Sequence, residues 1–276
     1  VCSSDLCALK QAAFPLAYAT VLPALYVPII LMLFGLVFRG VAFEFRWRTE
    51  RARWVWDWSF ALGSLAAALA QGIVLGALVQ GIAIADRTYA GGWWDWLTPF
   101  SLVTGLAVAL GYVLLGSTWL NLKTDGTLQA RVRRIALFAA LATVALMGLV
   151  SLWTPFLRGI YFERWFTAPS LYFSAIVPAI VLLMLWTLVT GLRTGRDLVP
   201  YLAANALFAV AYAGIGISFY PYIVPGALTI ADAAAPDASL SFLLVGTLIM
   251  VPVILAYTGY AYWVFRGKLQ SGTGYH

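Results

Sequence analysis

The chain of 276 residues contains a single histidine, His276, and it is the last residue. No imidazole is therefore available inside an apolar segment to hold a haem iron or another metal. Cysteine is almost as scarce: Cys2 and Cys7 both lie in the opening Val-Cys-Ser-Ser-Asp-Leu-Cys, and no CxxC or zinc-ligand spacing occurs. Charged residues make up 10% of the chain and hydrophobic ones 63%, with a mean hydropathy of +0.89. That is too little polar surface to cover a water-soluble globule. The pI is near 9.4, but the basic residues sit in short clusters between apolar runs and form no continuous face, which argues against a nucleic-acid partner. P-loop, dinucleotide, nucleophile-elbow and zincin motifs are all missing, and Gly214-Ile215-Gly216 lacks the rest of a phosphate cradle. Met32, Met147, Met184 and Met250 are scattered one to a segment and read as packing residues.

What remains is long apolar runs, at about Ala19–Phe38, Trp58–Ile84, Leu97–Leu120, Ile135–Trp153, Leu171–Thr190, Leu198–Phe219 and Leu240–Phe265. Each approaches or exceeds the roughly 20 residues that cross a bilayer as a helix. Pro23, Pro28, Pro178 and Pro252 fall inside them; bundled membrane helices tolerate this because neighbours satisfy the freed carbonyls. The runs lack the alternating polarity of a barrel strand. The expectation is an all-α polytopic membrane bundle of seven transmembrane helices forming one domain over residues 13–268. The polar opening stretch lacks the basic start and cleavage site of a signal peptide, so it is not read as one, and residues 1–12 are expected to be a non-native or disordered leader. A short disulfide between Cys2 and Cys7 is the alternative for that stretch. Residues 269–276 are expected to be a cytoplasmic tail.

Orientation follows from the cations. Arg46, Arg48, Arg51 and Arg53 fall at the first connection, Lys123, Arg131, Arg133 and Arg134 at the third, Arg193 and Arg196 at the fifth, and Arg266 and Lys268 at the end. The second, fourth and sixth connections hold only Arg87, Arg158 and Arg164. The alternation places the beginning of the first span outside and the C-terminus inside. Trp93, Trp94 and Trp96, with Trp153, Tyr161 and Trp165, flank the outer connections. Such rings anchor at the headgroup level, and stacking of a quinone ring on them is the competing reading.

Few residues in the spans could carry chemistry. Glu44 lies in Arg39-Gly40-Val41-Ala42-Phe43-Glu44-Phe45-Arg46 at the inner end of the first span. A carboxylate close to hydrocarbon needs a partner or a purpose. Pairing with Arg48 one turn on is the structural reading, and proton handling the functional one. Arg39 is expected to pair with another helix or a partner subunit. Asp57 in Trp54-Val55-Trp56-Asp57-Trp58 precedes the second span and suits an N-cap. Gly72 and Gly76 form a small-xxx-small face for close helix packing. Gln71 and Gln80 are expected to bridge helices.

Phe38-Arg39-Gly40-Val41-Ala42-Phe43-Glu44-Phe45-Arg46, Arg53-Trp54-Val55-Trp56-Asp57-Trp58 and Gln71-Gly72-Ile73-Val74-Leu75-Gly76 through Gln80-Gly81 resemble subunit II of cytochrome bd-type quinol oxidases. Leu97-Thr98-Pro99-Phe100, Gly116-Ser117-Thr118-Trp119-Leu120 with Lys123-Thr124-Asp125-Gly126, and Pro252-Val253-Ile254-Leu255-Ala256-Tyr257 with Tyr262-Trp263 extend the likeness in order along nearly the whole chain. The variant is most similar to the cyanide-insensitive branch. The resemblance implies a haem-free subunit in a heterodimer with subunit I, which carries haems b and d and the quinol site. Together the two oxidise quinol and reduce oxygen to water in the bacterial inner membrane, taking protons from the inner side. It implies that this subunit stabilises its partner and helps form proton or oxygen access, with a quinone at its surface as a further expectation. Glu44 falls where the family places an inner-side acid implicated in proton delivery. The family has nine helices, and its first two would precede Ala13. The alternatives from other classes are a secondary transporter, which would be expected to show paired, interrupted helices in two halves, and a pure assembly scaffold.

Overall fold

The computed structural model describes residues 13–49, 51–167, 170–265 and 267–268, without the side chains of residues 164 and 170–174. The expectations for the 1–12 leader, its two cysteines and the 269–276 tail lie outside the described residues. Among the described residues ten helices follow in order: α1 Pro15–Ala24, α2 Tyr26–Arg48, α3 Arg53–Gln80, α4 Pro99–Lys123, α5 Gly126–Leu157, α6 Gly159–Phe166, α7 Ser170–Arg193, α8 Leu198–Phe219, α9 Ile230–Ala233 and α10 Asp237–Val264. Seven are long and apolar enough to cross a membrane: α2, α3, α4, α5, α7 from Ala175, α8 and α10. Two antiparallel ladders, β1 (Ile84–Ala85) with β2 (Thr88–Tyr89) and β3 (Tyr222–Val224) with β4 (Leu228–Thr229), decorate the connections at one end. The fold is the expected helical membrane bundle.

Several boundaries differ from the apolar runs. The first run is not one helix: the chain breaks at Leu25 and restarts at Tyr26. Pro28 has no N–H to give the Ala24 carbonyl, so the ladder is interrupted there. The span then runs on to Arg48, because arginine stems lie along apolar surface while their heads reach water. Arg46 and Arg48 are thus helical and not part of a connection. Likewise Arg131, Arg133 and Arg134 lie within the opening turns of α5, since only Thr124 and Asp125 separate α4 from α5.

Packing relies on small residues. Between α2 and α3, a Cβ on Gly35 would lie 2.6 Å from the Gly63 carbonyl oxygen, and one on Gly63 2.7 Å from that of Gly35. Between α3 and α4, a Cβ on Gly72 would lie 2.6 Å from Gly105 Cα, and one on Gly76 2.6 Å from Ser101 Cα. Without a hydrophobic drive between helices in lipid, such approach lets dispersion and backbone contact hold them together. A separate alanine-rich layer of Ala136, Ala139, Ala140, Ala203 and Ala204 with Leu114 and Leu188 joins α4, α5, α7 and α8.

Candidate functional site

Two regions could do chemistry: the arginine-bearing end of α2 and α3, and an apolar cavity toward the opposite, tryptophan-bearing end. At the first, the buried residues of α2 are Pro28, Gly35 and Ala42, a seven-residue stripe turned toward α3. Glu44 follows Ala42 by two residues, about 200° round the helix, so it faces away from α3. It is exposed. Its expected ion pair with Arg48 does not form, and no cation lies within salt-bridge distance among the described residues. Arg39 turns the other way, its guanidinium 5.6 Å from the Phe60 ring centroid on α3.

Asp57 is not an N-cap. The helix begins four residues earlier, with Ala52 at the cap position. Asp57 Oδ1 instead accepts from Arg46 Nε at 2.5 Å, across the α2–α3 turn. That turn is braced further by Trp56 Nε1 donating to Thr49 Oγ1 (3.2 Å) and by Phe45 against Trp56 (5.4 Å). Of the four arginines near this turn, Arg46 is therefore committed to Asp57. Gln71 and Gln80 both bridge to α4 or its cap: Tyr112 Oη donates to Gln71 Oε1 (2.6 Å), and Thr98 Oγ1 to Gln80 Oε1 (2.8 Å).

The cavity, about 580 Å³, lies among α3 to α8. Leu75, Val108, Met147, Pro178, Leu207 and Phe208 give it an apolar wall. Most hydroxyls around it are spent on backbone: Thr104 on the Phe100 carbonyl (2.8 Å), Thr154 on Val150 (2.7 Å) and Tyr161 on Val79 (2.7 Å). Thr143 also lines the cavity, and its buried Oγ1 has no hydrogen-bond partner among the described residues. Tyr161 is 1% exposed, and burial raises its phenol well above the ordinary value, opposed only in part by Arg158. It serves as a fixed donor.

Arg158 closes the same end. Its Nε donates to the Gln80 carbonyl (2.7 Å) and its Nη1 to that of Pro225 (2.9 Å). The guanidinium thus meets the negative end of α3 and ties three connections together. From sequence Arg158 and Tyr161 look like a loop cation and an interfacial ring, because their partners are backbone carbonyls that leave no sequence mark. The start of α4 was more legible: Thr98 and Ser101 form a reciprocal capping box around Pro99.

A helical bundle with charge confined to its ends, an apolar interior cavity and broad exposed apolar helix faces defines an integral membrane subunit of the multi-pass class. Residues 7–265 match the family described as cytochrome bd terminal oxidase subunit II, and the chain belongs to that family. It is 28% identical to cytochrome bd-I ubiquinol oxidase subunit 2 of Escherichia coli (strain K12) over 301 residues, spanning 94% of this chain and 78% of that protein. It is 29% identical to cytochrome bd ubiquinol oxidase subunit 2 of Bacillus subtilis (strain 168), with the same coverages. The bd oxidase structure from Geobacillus thermodenitrificans shares the fold, with a TM-score of 0.65, 11% identity, and 93% of this chain and 81% of that one covered.

Proposed function

We infer that this chain is the haem-free subunit II of a quinol:oxygen oxidoreductase, working in a heterodimer with a haem-bearing subunit I in the bacterial inner membrane. The family match over residues 7–265 carries this reading. The donor set supports it: a b- or d-type haem iron takes histidine or a comparable ligand, whereas the described residues contain no histidine and the methionines lie on separate helices. Among the described residues no histidine is placed to ligate a haem, in keeping with that reading. The secondary-transporter alternative has no support from the family.

Within the complex, Glu44 is the proton-access candidate, because its exposed carboxylate faces out of the chain where a partner can lie against it. Arg39, Asp57, Gln71, Gly72 and Gly76 hold the α2–α4 scaffold that presents it. The cavity is the candidate position for a quinone in this subunit: its wall suits a lipophilic ring and chain, and Thr143 Oγ1 offers a donor to a ring carbonyl. The alternating cation clusters support a cytoplasmic C-terminus.

The test is co-expression with a haem-bearing subunit I in a strain lacking other terminal oxidases. Quinol-driven oxygen uptake that requires both chains supports the assignment. A partner that assembles and respires equally well without this chain would overturn it.

A further inference from the structure

The last span, α10, contrasts with every other spanning helix. It has no buried residue along its 28 positions, and no other described element packs extensively along it. Its hold on the bundle is concentrated at the arginine-bearing end. There the Tyr262 ring meets Trp119 edge-on at 5.7 Å. Lys123 Nζ, from the end of α4, donates to the carbonyls of Phe265 (2.7 Å) and Gly267 (3.1 Å), at and just past the C-cap of α10. Lys268 Nζ, just beyond, reaches Asp125 Oδ1 (2.6 Å) and Asp197 Oδ2 (2.7 Å).

The receptor for Lys268 is built without it. Asp197 Oδ1 already accepts from Gln129 Nε2 (2.9 Å) and Arg133 Nη2 (3.0 Å). Arg133 is in turn fixed by donating Nε to Asn121 Oδ1 (2.9 Å), on a fully buried asparagine. One carboxylate oxygen is thus held by α5 while the other is left for the lysine.

We propose that this cluster is an ionic latch: it secures a helix that apolar packing within the described part of this chain does not hold, and in the chain by itself loosening it lets the latched end of α10 leave the bundle while the rest of the fold stays intact. The latch is half exposed, with the Lys268 side chain 37% and that of Asp197 25% accessible, so mobile ions can screen it.

Pulsed electron paramagnetic resonance on the full chain in lipid nanodiscs tests this. Cys2→Ser and Cys7→Ser remove the native thiols, and nitroxides are attached at Arg131→Cys and Phe265→Cys, both exposed. A control pair at Leu62→Cys and Leu106→Cys reports the α3–α4 contact. The parent should give one narrow 131–265 distance. Lys268→Gln should shift the open-to-closed ratio about 2- to 10-fold, Lys123→Gln should add to it, and Lys268→Arg should restore the narrow distance, with the control pair unmoved throughout. Should the double variant disturb the control pair as well, the parent decides: raising KCl from about 50 mM to about 1 M must broaden the 131–265 distance alone. A 131–265 distance indifferent to both substitutions and salt would overturn the latch.

Discussion

At the residue scale, two carboxylates show how geometry divides roles. Glu44 stands exposed without a salt-bridge partner among the described residues, whereas Asp57 is engaged by Arg46 at 2.5 Å. In the assembled oxidase, Glu44→Gln keeps size and hydrogen bonding but cannot carry a proton. Oxygen consumption per haem should fall by about an order of magnitude or more, with haem content and yield of the complex unchanged, and Glu44→Asp should retain more activity. Full turnover in Glu44→Gln would end the proton role. Asp197 supplies a pH dependence of stability. Desolvation pushes its pKa up, but hydrogen bonds and charge from Lys268 and Arg133 outweigh that and hold it below the ordinary 3.8. A depressed carboxyl pKa contributes stability that is present above the unfolded value and lost as pH falls through the folded one. Lys268 is raised above its ordinary 10.5 by Asp125 and Asp197, so its contribution is present below that value and lost as pH rises through the folded pKa. The melting temperature should therefore vary little with this pair between about pH 5 and 9. Asp197→Asn should lower it in that window and flatten the acid limb; an unchanged acid limb would show that Asp197 does not set the acid stability.

At the element scale, the α3–α4 contact is the tightest test of packing. Any side chain at Gly76 meets the Ser101 backbone at 2.6 Å, not a movable tip. Gly76→Ala should therefore force the helices apart and cost about 1–3 kcal/mol, seen as a lower melting temperature. Gly116, with nothing within 4 Å of its added Cβ, should accept alanine without loss. Topology makes a second test: reporter fusions after Arg53, Arg134, Arg196 and Lys268 should read cytoplasmic, and fusions near Gly91, Glu163 and Asp237 external. The existence of the seven spans was legible because a bilayer crossing needs a long uninterrupted apolar run. Their ends were not, because arginine and tryptophan flanks continue the helix past the apolar stretch. That is why Asp57, read as a cap, sits a full turn inside α3. The latch was illegible for a different reason: Asp125, Asp197 and Lys268 come together only through the tertiary fold and share no local spacing. The Leu25 break could have been taken from Pro28, and the α4 cap from Thr98-Pro99-Phe100-Ser101.

At the scale of the whole molecule, much of the surface is apolar and open. Tyr26, Phe34, Phe38 and Phe43 on α2 are each more than half exposed, as are Phe242, Leu248, Leu255 and Tyr257 on α10. A lone chain must cover these faces with lipid, and a family partner offers a second surface to bury them. On the proposed function, this subunit completes an oxidase whose haems lie in its partner. The most direct measurement is the absorption spectrum of the chain purified alone, set beside that of the chain co-purified with subunit I. The single chain should show no Soret band, and the complex should show b- and d-type bands with quinol-driven oxygen uptake. Stoichiometric haem in the single chain would contradict it.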